Sequence, residues 1–210
     1  MNAGELLRQR LLQCPLVAII RGVTPDEVEG VGEAIFDAGI RVIEVPLNSP
    51  DPFDSIRRLS DALGDGAMVG AGTVLTPDDV TRVAEAGGQL IVSPNTDAKV
   101  IEATVAAGLA SSPGYFTPSE AFTALRAGAH VLKLFPAEGA TPTIVRAQRA
   151  VLPKDVPLLV VGGVTPDNMQ PWLDAGANGF GLGGGLYKPG QSAAETGAKA
   201  RAYVAALGER

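Results

Sequence analysis

The chain predicts an α/β fold, a single closed (β/α)8 barrel of the TIM type preceded by a short N-terminal helix, and three observations lead there. Apolar runs recur along its 210 residues and are near-continuous rather than alternating, as parallel strands covered on both faces require. Five of these runs follow an Ala-Gly pair: "DAGIRVIEV", "EAGGQLIVS", "AAGLASSP", "RAGAHVLKLF" and "DAGANGFGLG". Five Thr-Pro pairs, beginning at Thr24, Thr76, Thr117, Thr141 and Thr165, follow apolar runs.

Both pairs are junctions. Glycine just past a helix takes left-handed backbone without a Cβ penalty, which suits Gly39, Gly87, Gly108, Gly128 and Gly176 to helix-to-strand turns. Threonine as N-cap with proline at the first helical position marks the opposite turn, strand to helix. The glycines are spaced 48, 21, 20 and 48 residues apart. Each long interval holds two units if "ALGDGAMVGAG" and "VLPKDVPLLVVGG" supply the missing junctions.

Taken in order, "MNAGELLRQRLLQC" has the period of an amphipathic helix. Strands are expected near 15–21, 40–46, 67–73, 89–94, 109–113, 129–135, 157–162 and 178–184, with helices between them. Eight such units favour a closed barrel. The competing architecture, an open doubly wound sheet, usually has fewer strands and a phosphate fingerprint after the first, which "IIRGVTP" is not. No linker divides the chain, so residues 1–210 are expected to form one domain.

Composition narrows the function. A net charge of −6 provides no basic stripe for a nucleic-acid backbone. The solitary Cys14 fits a reducing compartment, and neither a leader nor a membrane-length apolar stretch is evident, so a cytoplasmic protein is expected. No His cluster or Cys pair suggests a transition metal. His130 begins the sixth strand and belongs at the bottom of the barrel, and Trp172 reads as a helix-packing residue.

A barrel of this type carries its chemistry at the C-terminal ends of its strands. Arg21 ends the first strand, Glu44 and Asn48 the second, Thr73 the third, Pro94 and Asn95 the fourth, and Pro113 the fifth. The sixth, "HVLKLF", carries Lys133 between Leu132 and Leu134. If the face shared by Val131, Lys133 and Phe135 looks inward, the ammonium loses hydration and the neutral, nucleophilic amine is favoured. If it does not, Lys133 snorkels outward or closes a buried ion pair. Glu44 lies four strands away, diametrically opposite in a ring of eight, where it can serve as a general acid–base or as a structural partner of Arg21. "VVGGVTPDN" and "GFGLGGGLY" close the last two strands, where barrels often bind phosphate through bare amides; tight turns alone would also use glycine.

In this order, "PLVAIIRG", "IEVPLNSP", "VGAGTVL", "LIVSPN", "KLFPAE", "VGGVTPDN" and "GLGGGLY" resemble the 2-keto-3-deoxy-6-phosphogluconate/galactonate aldolases over essentially the whole chain. The resemblance implies a class I aldolase, typically a homotrimer, that needs no cofactor beyond a covalent Schiff base with its substrate. It places the Schiff-base lysine at Lys133 and the acid–base glutamate at Glu44. It puts the phosphate loops at Gly162, Gly163, Gly183 and Gly184, and the pyruvate half of the site at Arg21, Thr73 and Pro94.

Asn48 stands where the gluconate enzymes carry an arginine, and Val161 where they carry a threonine; both look like the galactonate branch. The implied partners are a phosphorylated 2-keto-3-deoxy sugar acid, pyruvate and glyceraldehyde 3-phosphate, with the gluconate epimer, or both epimers, as the alternative substrate. The family's serine in the last strand loop is replaced here by Gly184 or Gly185. Two other readings are weighed: a barrel isomerase or synthase using Lys133 only as a charge, and a non-catalytic sugar-phosphate sensor.

Overall fold

The computed structural model describes residues 2–208. Helix α1 (Ala3–Gln13) opens on a capping box, with Asn2 accepting from the Glu5 N–H and the Glu5 carboxylate accepting from the Asn2 N–H. Nine parallel strands follow: β1 (Leu16–Ile19), β2 (Val42–Pro46), β3 (Met68–Gly72), β4 (Leu90–Val92), β5 (Ala110–Ser112), β6 (Gly114–Tyr115), β7 (Leu132–Leu134), β8 (Leu158–Val161) and β9 (Gly179–Leu182). Between and after them run α2 (Val28–Asp37), α3 (Pro52–Leu63), α4 (Pro77–Glu85), α5 (Ala98–Ala106), α6 (Pro118–Arg126), α7 (Pro142–Arg149), α8 (Met169–Asp174) and α9 (Ala193–Ala206).

The sheet order is β5-β4-β3-β2-β1-β9-β8-β7-β6. Its two edges are halves of one chain segment, so the sheet is a ring. The stretch expected as one strand is split at Pro113, which has no N–H to continue a ladder. Its carbonyl still accepts from the Lys133 N–H at 3.0 Å, and Ser111 accepts from Val131 at 3.2 Å, which closes the barrel.

The junction glycines behave as the sequence requires: Gly39, Gly87, Gly108, Gly128 and Gly176 all have positive φ. Thr76 caps α4, and Thr117 caps α6 in a box with Glu120. Thr24 departs from the pattern. Its carbonyl starts a turn, accepting from the Val28 N–H at 3.1 Å, and the regular helix begins only at Val28.

Two apolar layers result. Leu132, Leu134, Ile43 and Val45 face the helices. Val17, Val42, Met68, Leu90, Val131 and Leu159 fill the barrel, joined from below by Leu7 and Leu11 of α1, which plugs the bottom. His130 lies at that end, its Nδ1 accepting from the Ser111 N–H at 3.0 Å, with its ring against Gly4 of α1. Trp172 and Cys14 are buried in the outer layer.

Candidate active site

Strand alternation fixes the direction of Lys133. Because Leu132 and Leu134 are fully buried toward the helices, Lys133 projects inward with Val131, and its Nζ lies 4.8 Å from the Phe135 ring centroid. Glu44 projects inward from β2 beside Val42. Several inward positions on the neighbouring strands are glycine. At Gly72 a Cβ would lie 1.7 Å from Glu44 Oε2, so the carboxyl rests directly on bare backbone.

Lys133 is 7% exposed and Glu44 2% exposed. Burial dominates both titrations. It raises the Glu44 carboxyl from 4.5 to about 7, against the attraction of Lys133 and Arg21. It lowers the Lys133 amine, which Glu44 raises and Arg21 lowers further. Burial thus works against the charged form of both groups. Glu44 Oε2 is buried without a hydrogen-bond partner, which leaves an open position on the acid.

Above the pair, a cavity of about 440 Å³ opens at the C-terminal ends of the strands. Arg21, Glu44, Thr73, Pro94, Lys133, Val161, Gly162, Gly163, Gly183 and Gly184 line it, whereas Asn48, Asn95 and Pro113, also expected at strand ends, do not. At one side Arg21 donates to Asn48 Oδ1 and, at 3.4 Å, to Thr73 Oγ1. Thr73 is held at φ 57, a left-handed conformation costing a β-branched residue on the order of 1–3 kcal/mol. Strain of that kind persists where the surroundings impose it, here at the end of β3 beside the guanidinium.

At the other side stand the glycine loops. Gly162 and Gly163 have φ of 114 and 64, so the turn after β8 requires glycine. Asn168 Nδ2 donates to the Gly163 carbonyl at 2.8 Å, and the Tyr203 hydroxyl donates to the Val164 carbonyl at 2.8 Å, which pins this loop to α8 and α9. After β9, the Gly183 carbonyl accepts from the N–H groups of Leu186 and Tyr187. Around Gly183 and Gly184 a Cβ would meet nothing within 4 Å.

Phe135, Glu138, Thr165, Tyr187, Lys188 and Pro189 also line the cavity and were not singled out in the sequence. "KLFPAE" placed Glu138 one turn past the lysine strand, and that spacing was the available signal. Its carboxylate lies over Gly162 and Gly163. Among the described residues no group of three or more His, Cys, Asp or Glu is placed to hold a metal ion, and no helix is long and apolar enough to cross a membrane.

A parallel (β/α)8 barrel with a buried lysine–glutamate pair under a rim of strand-end loops defines an aldolase-class site. The model of the family described as "Aldolase: KDPG and KHG aldolase" matches residues 7–197, and the chain belongs to that family. It is 49% identical to the 2-dehydro-3-deoxy-6-phosphogalactonate aldolase of Escherichia coli (strain K12), over 93% of this chain and 95% of that one. It is 31% identical to the KHG/KDPG aldolase of the same organism, over 76% of this chain and 74% of that one. A solved structure described as "Native KDPGal structure" superposes with a TM-score of 0.91 at 49% identity, covering 93% of this chain and 95% of that chain.

Proposed function

We propose that the protein cleaves 2-dehydro-3-deoxy-6-phospho-D-galactonate reversibly to pyruvate and D-glyceraldehyde 3-phosphate, through a Schiff base on Lys133. The observation that carries this reading is the buried amine with a lowered pKa, facing a carboxyl that titrates at about 7. A neutral amine attacks a ketone; an ammonium does not. An acid poised near neutrality can both give and take protons.

Lys133 Nζ attacks C2, and Glu44 protonates the departing hydroxyl, so water leaves and an iminium remains. Glu44, now a carboxylate, removes the C4 hydroxyl proton. C3–C4 breaks, its electron pair moves into the iminium to give an enamine, and the aldehyde departs. Protonation at C3 and hydrolysis then release pyruvate and restore the amine. The iminium is the electron sink, so the reaction as proposed uses no metal.

Arg21, held by Asn48 and Thr73, is assigned to the substrate carboxylate, with Pro94 on the same half. The amides of Gly162, Gly163, Gly183 and Gly184 are assigned to the phosphate, with Val161 beside them. That remote grip fixes C4 over Glu44. Asn48, Val161 and the 49% identical galactonate enzyme favour the galactonate epimer over the gluconate one. The same reading takes the protein as one domain, a cytoplasmic homotrimer; a solution mass other than three chains would correct the assembly.

The test is kcat/KM on both epimers with pyruvate release as readout. A single altered hydroxyl contact is worth roughly 1–3 kcal/mol, so the galactonate epimer should lead by about tenfold or more. A clear lead for the gluconate epimer overturns the substrate assignment.

A further inference from the structure

Three cationic side chains line the cavity, Arg21, Lys133 and Lys188, against two anionic ones, Glu44 and Glu138. Arg21 is engaged with Asn48 and Thr73, and Lys133 lies buried in the barrel. Lys188 remains. It lies on the segment that leaves Gly183–Gly185, is exposed, and among the described residues forms no salt bridge.

The backbone that carries it is fixed. Tyr187, the residue before, is buried at 2% exposure. Pro189, the residue after, seats its ring on Gly22, where a Cβ would lie 2.6 Å from Pro189 Cγ. The Lys188 carbonyl accepts from the Gln191 N–H at 2.9 Å. Only the side chain is left to move, at the rim of the glycine-lined end.

We infer that Lys188 is the cationic partner of the substrate's phosphate and a determinant of preference for phosphorylated sugar acids. The inference rests on the aldolase reading above. A phosphomonoester carries about 1.5 to 2 negative charges at neutral pH. Here it must enter a chain of net charge −6, beside the Glu138 carboxylate, along a loop whose three glycines offer no hydroxyl. Amide dipoles alone would face that repulsion. A lysine supplies a point charge on a flexible stem, the form in which this residue commonly binds phosphate.

The experiment compares wild type, Lys188→Gln and Lys188→Arg on the phosphorylated sugar acid and on its unphosphorylated counterpart, with borohydride trapping of pyruvate alongside. The ratio of kcat/KM between the two substrates should fall about tenfold in Lys188→Gln, the lower end of a hydrogen bond to a charged group, because the site is solvated. Lys188→Arg should recover most of it, and added salt should lower the wild-type ratio more than that of Lys188→Gln. A ratio unchanged by Lys188→Gln, or an equal loss on both substrates, overturns the assignment of Lys188 while trapping in wild type leaves the aldolase reading standing. Failure of wild type to trap pyruvate removes that reading, and the inference with it.

Discussion

Lys133 on β7 and Glu44 on β2 stand on opposite walls of the barrel, four strands apart in either direction round the ring, and each titrates against the other's charge. The proposed mechanism needs both. Without the acid, nothing would protonate the departing hydroxyl, and without the amine no iminium would form.

Replacing the acid tests its role directly. Glu44→Gln keeps the shape and removes the proton, so kcat for cleavage should fall by about 100-fold to 10,000-fold, the usual span for a general acid–base. Steady-state cleavage assays read this out, and a loss under about threefold would assign the proton transfers elsewhere.

The same substitution should change how stability depends on pH. The Glu44 carboxyl titrates at about 7 in the fold against an ordinary 4.5. Between those values the folded protein holds a proton that the unfolded chain has lost, so the contribution of Glu44 to stability is fully present below about 4.5 and is lost as pH rises through about 7. Denaturant titrations should therefore show wild type losing stability relative to Glu44→Gln across that window. A difference that is flat, or that rises with pH, contradicts the raised carboxyl.

Gly72→Ala probes the seat of that carboxyl. The added Cβ would fall 1.7 Å from Glu44 Oε2, so the acid must move. Cleavage should fall by about tenfold or more, with circular dichroism unchanged, because the displaced group borders the cavity rather than the outer core. Wild-type turnover in this variant would mean that the position of the carboxyl is not critical.

Gly184→Ser probes the other end. There is open space at Gly184, whereas a Cβ at Gly185 would meet the Tyr203 hydroxyl at 2.3 Å. Only the first glycine can take a serine without displacing a neighbour. A hydroxyl there should lower KM for the phosphorylated substrate by about fivefold, one hydrogen bond's worth. A raised KM would place the phosphate away from this loop.

The barrel and the inward placement of Lys133 and Glu44 were legible in the sequence because each rests on a local rule. Ala-Gly and Thr-Pro pairs mark the turns, continuous apolar runs mark covered strands, and a lysine inside such a run has only two faces to choose from. The break at Pro113 was hidden, since a proline at a strand end and one inside a strand look alike until the partner N–H groups are placed. Thr24 carried the same signal as Thr76 yet opens only a turn, because the helix starts further on. Glu138 and Lys188 reach the cavity through loop paths set by distant contacts, such as Pro189 on Gly22, which no spacing along the chain reveals.

The most direct measurement is mass spectrometry of peptides after borohydride reduction in the presence of pyruvate. One reductively attached pyruvate should appear on the peptide holding Lys133, and Lys133→Arg should abolish both the adduct and cleavage. An adduct on a different lysine, or turnover surviving in Lys133→Arg, would contradict the account at its centre.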